Sequence, residues 1–287
     1  MKLSVSSYSY SQYLGEGKLD LPGVVEKSAE LGFDAVEFTD LPGETQREKL
    51  EMAEKLKQKA EECNIEISAY TVSANMYWDN EEESQKEIER LKKQADVAKV
   101  LGAKVMRHDA CWSLGKNGNS RSFDLMLPTI AKNTRAVADY AKTLGIKTCT
   151  ENHGFIAQDS DRMERLFNAV NHDNFGLLVD VGNFACADED SCTAVSRLAP
   201  YAVHVHAKDF EKYESREQTD KNGIVTRGAK YIVGTAVGKG DIPVKKCIQI
   251  LKKCGYDGYA TIEYEGADDC IEGISTGLKN LKSYIEE

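Results

Sequence analysis

A short strand-like run followed by an amphipathic helix-like run recurs eight times along this 287-residue chain. The strand runs are LSVSSYSY from Leu3, AVEF from Ala35, IEISAYTV from Ile65, KVMRHD from Lys104, KTCTENH from Lys147, FGLLVDVGN from Phe175, AVHVHAKD from Ala202 and GYATIEYEG from Gly258. Between them, segments such as REKLEMAEKLKQKAEEC and KEIERLKKQADVAKVLG place apolar residues three and four apart, the spacing of one helix face. Helical runs ending at Gly32, Gly102, Gly145 and Gly255 lead straight into the next strand, as expected where glycine takes the left-handed conformation that stops a helix. Eight parallel βα units close on themselves in a chain of about this length. The predicted fold is α/β, a single-domain (β/α)₈ TIM barrel over residues 1–287.

A doubly wound open sheet is the competing architecture, but the segment after the first strand, YSQYLGEGKLD, carries no glycine-rich phosphate loop. One long excursion, from Phe210 to Asp241, separates the seventh strand from its helix. Long βα loops sit at the catalytic end of a barrel, so this one is expected to shape or cover a substrate, with a solvated surface insertion as the alternative.

Composition narrows the function. The net charge is −10, from 37 basic and 47 acidic residues, which argues against nucleic acid as the main partner. No apolar run is long enough to span a bilayer, and the start, MKLSVSSYSY, lacks the basic and apolar regions of a signal peptide. The expected location is cytoplasmic. Eight scattered cysteines, none in a CxxC pair, read as reduced thiols rather than disulfides or a thiolate zinc site.

Chemistry concentrates in the last four strands. In such barrels catalytic groups come from the C-terminal strand ends. Strand five ends in TENHG (Glu151, His153), strand six in LLVDVGN (Asp180), strand seven in HVHAKD (His204, His206, Lys208, Asp209) and strand eight in TIEYEG (Glu263, Glu265). Side chains two apart share a face, so His204, His206 and Lys208 point one way while Val203, Val205 and Ala207 point to the helices. The same alternation puts Thr261 with Glu263 and Leu178 with Asp180 inside, and is less clean in strand five. Three carboxylates and an imidazole gathered without a counter-charge are costly, and a divalent cation resolves that. One nitrogen with several carboxylate oxygens suits Mn²⁺ first, with Mg²⁺, Co²⁺ and Zn²⁺ as alternatives.

The ordered set E-N-H, D-x-G-N, H-x-K-D, G-x-G-D-I-P and a final I-E resembles the sugar phosphate isomerase/epimerase superfamily, the xylose-isomerase-like barrels. That superfamily includes ketose 3-epimerases, hydroxypyruvate isomerase and inosose dehydratase, and is related to endonuclease IV. The resemblance covers essentially the whole chain. It implies that Glu151, Asp180, His206 and Glu263 bind one divalent metal and that Lys208 lies near the substrate. The implied reaction is an isomerisation or epimerisation of a sugar or polyol, by proton abstraction next to a carbonyl through a metal-stabilised enediolate. Glu151 and Glu263 would work on opposite faces of the carbon, and Lys208 would neutralise a developing oxyanion. His153 and His108 are further base candidates. Tyr8, Trp112 and Asn183 join His108 as expected substrate-binding residues, since sugar C–H faces pack on aromatic rings. Tyr70 reads as core, and Arg107 as an ordinary ion pair, with binding of a substrate phosphate or carboxylate as the alternative.

Two positions depart from the ketose 3-epimerase pattern: Asn183 replaces a histidine three residues after the metal aspartate, and Lys208-Asp209 stands where an arginine follows the strand-seven histidine. The metal set is untouched, and 3-epimerisation in particular loses support. The alternative is a lyase on the same site, dehydrating a keto-sugar or keto-inositol or cleaving a 3-keto-C-glycoside. Abasic-site endonuclease activity needs more metals and histidines than the five present here, and a non-catalytic partner subunit is a further reading. The expected partner is a small-molecule sugar, keto-polyol or keto-glycoside, with a homo-oligomer or partner subunit left open.

Overall fold

The computed structural model describes residues 1–112 and 122–287. Eight parallel strands close into a barrel: β1 (Lys2–Ser6), β2 (Ala35–Thr39), β3 (Glu66–Val72), β4 (Val105–His108), β5 (Lys147–Glu151), β6 (Phe175–Asp180), β7 (Ala202–Ala207) and β11 (Tyr259–Ile262), which returns to pair with β1. Helices including Leu21–Leu31, Gln46–Glu62, Glu81–Leu101 and Phe123–Leu144 lie between successive strands and form the outer layer. The first strand is shorter than its strand-like run, because Ser7–Tyr10 coils into a 3₁₀ turn at the C-terminal end of the barrel.

Local chemistry explains where the elements stop. The four junction glycines all have φ between 73° and 90°, a region closed to most side chains. Helix Gln46–Glu62 opens with a reciprocal capping box between Thr45 and Glu48. Val36, Phe38, Val179, Val205, Ala260 and Ile262 are buried and belong to the apolar core. The inward set is unusually polar for a barrel: Ser4, Glu37, Ser68, His204 and Thr261 are all buried, and the Ser4 and Ser68 hydroxyls bond at 2.7 Å. Barrel interiors are ordinarily filled with branched apolar side chains. Two register shifts interrupt the sheet, one where Glu37 faces both Ser68 and Ala69 and one where Val203 is left over between β6 and β7.

The excursion after β7 is not an irregular loop. It folds into a three-stranded antiparallel sheet of β8 (Asp209–Tyr213), β9 (Ile224–Val225) and β10 (Tyr231–Thr235), ordered β8-β10-β9. Phe210 and Ile232 are buried on one face of this sheet, and Tyr231 and Val233 on the other. Asp209 pins its return: the carboxylate accepts from the backbone N–H groups of Phe210, Gly238, Gly240 and Ile242 at 2.8–3.1 Å. A Cβ on Gly240 would fall 2.3 Å from Asp209 Oδ1, so the G-x-G-D stretch and the H-x-K-D aspartate are two halves of one clasp. The sheet braces the loops after β5 and β6. Arg227 pairs with Asp159 and donates to the Phe155 carbonyl, and the Thr226 hydroxyl donates to Asp188. Among the described residues, no helix is long and apolar enough to cross a membrane.

Candidate metal centre and active site

Four side chains meet at the C-terminal end of the barrel, each delivered by a different strand or the residue just after it. Glu151 ends β5, Asp180 ends β6, His206 lies near the end of β7 and Glu263 follows β11. One ligand atom from each falls within 4.8 Å of all the others, so the four could hold a metal ion together. Their backbones are fixed by the residues around them. Asn152 continues the β5–β6 ladder with its side chain, accepting from Asp180 N at 2.9 Å and donating to Asp180 O at 3.0 Å. Asp180 Oδ1 accepts from the N–H groups of Gly182 and Asn183 at 2.8 and 2.9 Å, which leaves Oδ2 to face the site. Gly182 is required there because a Cβ would sit 2.7 Å from the Lys208 carbonyl.

Among the described residues, two atoms in this cluster are buried without a hydrogen-bond partner, Asp180 Oδ2 and His206 Nδ1. His206 Nδ1 lies 3.4 Å from Glu263, 3.6 Å from Glu151 and 3.9 Å from Asp180, contacts too long for hydrogen bonds and spaced as if around a common centre. Buried polar atoms are almost always satisfied, so this convergence fits a cation. Oxygen-rich coordination with one imidazole suits a divalent ion.

Flanking cations set the charge state. Arg107 Nη2 contacts Glu151 Oε2 at 2.5 Å and Asp109 Oδ1 at 2.9 Å; Lys208 Nζ contacts Glu263 at 2.6 Å, Glu265 at 3.2 Å and Asp180 at 3.4 Å. Burial alone would raise the Glu151 carboxyl, but Arg107 and His206 outweigh it and hold it well below the usual range. Glu263 is held down to about 2 against burial by Lys208 and His206. Asp180 goes the other way, raised to about 6 by burial and by Glu151 and Glu263, with Lys208 only partly offsetting them. Burial disfavours charge on His206, yet the carboxylates of Glu37, Glu263 and Glu151 lift its pKa well above the ordinary imidazole value.

A cavity of about 330 Å³ opens over these groups, lined by Tyr8, Trp112, His153, Lys208, Glu263 and Glu265 among others. That is the small end of the range for ligand sites.

The xylose isomerase-like TIM barrel family matches residues 25–284, nearly the whole chain. The chain belongs to that family. An inosose dehydratase from Mesomycoplasma hyopneumoniae (strain J) is 24% identical over 259 residues, covering 87% of this chain and 82% of its own length. Among solved structures, the IolI protein with a binding zinc atom superposes with a TM-score of 0.77 at 18% identity, over 100% of this chain and 98% of its own. A D-psicose 3-epimerase with D-tagatose, from Clostridium cellulolyticum H10, gives 0.76 at 16% identity, over 99% of both chains.

Within this xylose isomerase-like barrel, most but not all of the residues singled out from sequence reach the site. Glu151, Asp180, His206 and Glu263 come together, with Lys208 against them. His153 lines the cavity, its Nδ1 2.9 Å from Asp109 Oδ1, and the Trp112 ring meets it edge-on at 4.6 Å. Trp112 is fixed by a bond from its indole N–H to Asp109. Tyr8 also lines the cavity, from its 3₁₀ turn. Asn183 is buried beneath the cavity rather than lining it, donating to Glu151 at 3.0 Å and accepting from Lys208 at 3.3 Å. His108 is placed elsewhere: it is fully buried, its ring stacks near Phe175, and burial pushes its pKa down. Adjacent residues of a strand face opposite ways, and in β4 it is Arg107 that takes the interior. Tyr70 is core, bonded to Gln94.

The excursion expected to cover the substrate lines none of this cavity among the described residues; its sheet supports the neighbouring loops from the side. Sequence reasoning missed Glu37, which reaches His204 and His206 from β2, and Asp109, which ties Arg107, His153 and Trp112 together. The alternation of Ala35, Glu37 and Thr39 in the second strand was a usable signal for the first of these.

Proposed function

We propose that this chain is a divalent-metal-dependent enzyme that moves a proton next to a carbonyl of a sugar or polyol, as an isomerase or epimerase. One observation carries the reading. Asp180 Oδ2 and His206 Nδ1, both buried and neither hydrogen-bonded among the described residues, converge with Glu151 and Glu263 at the floor of a polar cavity. Glu151, Asp180, His206 and Glu263 are the proposed ligands, with Mn²⁺ as the proposed ion; the zinc-bearing neighbour supports a metal in this fold. A bound divalent cation supplies Lewis-acid polarisation of a carbonyl and its neighbouring hydroxyl.

The remaining work falls to side chains. Glu151 and Glu263 are each kept ionised by an adjacent cation, so each can accept a proton at neutral pH. They come from β5 and from the end of β11, with β6 and β7 between them, so a substrate carbon lying above the cluster would meet one carboxylate on each face. Lys208, held by Glu263, Glu265 and Asp180, is placed to stabilise negative charge on a substrate oxygen. Trp112 and Tyr8 offer apolar surface to a sugar's C–H faces.

Elimination is the second reading, favoured by the inosose dehydratase relative and by Asn183 at the ketose-epimerase histidine position. Both readings begin with loss of the same proton and differ in the fate of the resulting enediolate. Purified protein loaded with Mn²⁺, incubated in D₂O with ketoses, keto-inositols and 3-keto-glycosides, separates them. Deuterium entering a substrate that loses neither water nor aglycone supports isomerisation, and release of water or an aglycone supports elimination. Turnover that survives exhaustive chelation would sink both.

Ion binding is expected to release protons. In the metal-free site His206 carries its proton through neutral pH, and an ion at Nδ1 must displace it. Titration of Mn²⁺ at pH 7 in buffers of different ionisation enthalpy should therefore report about one proton released per ion, and affinity should fall roughly tenfold per pH unit. Near pH 6 the Asp180 proton adds to the count and the fall steepens, because a raised carboxyl pKa means protonation there competes with the ion. Proton release of zero at both pH values would contradict the assigned ligand set.

A further inference from the structure

Glu37 is fully buried in the barrel interior, and its ion-pair partners are the two histidines of β7. Burying a carboxylate is costly, and replacing such groups with apolar ones often stabilises a protein. Here the fold takes trouble to aim it. Glu37 sits at the register shift between β2 and β3, and His204 directly follows the extra residue of the shift between β6 and β7. Such irregularities re-aim side chains near sites.

Glu37 Oε1 and Oε2 lie 3.1 and 3.0 Å from His206 Nε2. An ionised carboxylate only accepts hydrogen bonds, so Nε2 must carry the proton and donate. That leaves Nδ1 as the nitrogen turned to Glu151, Asp180 and Glu263. Glu37 is held in turn: His204 Nε2 is 2.9 Å from Oε2, and Thr261 Oγ1 is 3.0 Å from the same nitrogen.

We infer that Glu37 is a positioning residue, fixing the ring orientation and tautomer of His206 so that Nδ1 is presented to an ion held with Glu151, Asp180 and Glu263. The inference rests on the metal reading proposed above and adds a residue that touches neither ion nor substrate. Outer partners of this kind raise the basicity of a ligating imidazole and are worth 10- to 100-fold in metal affinity.

The test uses the full chain and Mn²⁺ alone, titrated by calorimetry, with circular dichroism to confirm folding. Wild type is expected to bind one ion, and Glu37→Gln to bind one ion with a dissociation constant 10- to 100-fold higher. A folded Glu37→Gln within threefold of wild type overturns the positioning role and leaves the metal reading standing. Two ions in wild type, one of them lost in Glu37→Gln, would make Glu37 itself a ligand and also overturn it. Wild type that binds no ion sinks both. Should Glu37→Gln fail to fold, nitrogen NMR of zinc-loaded wild type decides alone: His206 protonated at Nε2 and ligated through Nδ1 is expected, and the reverse tautomer refutes the inference.

Discussion

Glu151→Gln is expected to lower turnover on the best substrate of the panel by about 10³-fold, within the 10² to 10⁴ range for loss of a general base. The substitution removes two things at once. A neutral amide cannot accept the substrate proton, and the cluster loses one of its three carboxylates. The amide also fits badly: Glu151 Oε2 is clamped by Arg107 at 2.5 Å, and Oε1 accepts from Asn183. An NH₂ group facing Arg107 leaves the guanidinium with a repulsive neighbour; turned the other way, it faces His206. Bound manganese per chain and deuterium wash-in should be measured together, because they separate loss of the ion from loss of the base. Glu263→Gln is the matched control at the second proposed base. If deuterium still enters the substrate in one variant and not in the other, the silent one identifies the base that abstracts the proton. Glu151→Gln protein that keeps its ion and more than a tenth of its turnover would exclude Glu151 from the chemistry.

Asp209→Ala is expected to be the most destabilising single substitution near the site, by about 4 kcal/mol. The carboxylate accepts from four backbone N–H groups. Each buried N–H left unmet costs about 1–3 kcal/mol, with the exposed side of the clasp recovering part of this through water. For a chain of this size the melting temperature should fall by roughly 10 °C. Asp209→Asn is the graded test. It retains Oδ1 for Phe210 and Ile242 and loses the acceptor used by Gly238 and Gly240, so about half the loss is expected. A melting temperature within 2 °C of wild type for Asp209→Ala would show that the clasp carries no stability. Because Asp209 follows Lys208, the Ala variant should also weaken Mn²⁺ binding, whereas Asp209→Asn should leave it near wild type.

The proposed site was legible where neighbouring strands carry it. Alternation along β7 placed His204, His206 and Lys208 on one face, and they are buried together. The same rule separated Thr261 from Ile262, and it put Asp180 on the inner side of β6. In β4 it allows only one of the consecutive residues Arg107 and His108 to face inward, and the four residues of that strand do not say which. Nor does a pattern within one strand reveal what Asp209 holds, since its four donors lie between Phe210 and Ile242 across an entire small sheet.

Sequence alone determined the eight βα units, their closure and the group of acidic and imidazole side chains at the last four strand ends, because strand and helix periodicity are properties of neighbouring residues. Tertiary structure alone decided which partners those side chains acquire. Glu37 lies 169 positions from His206, and Arg107 and Glu151 meet only because β4 and β5 pair. Closing the barrel turns the inner faces of sequence-distant strands toward one another, and in that low-dielectric interior a single contact fixes a tautomer or a charge.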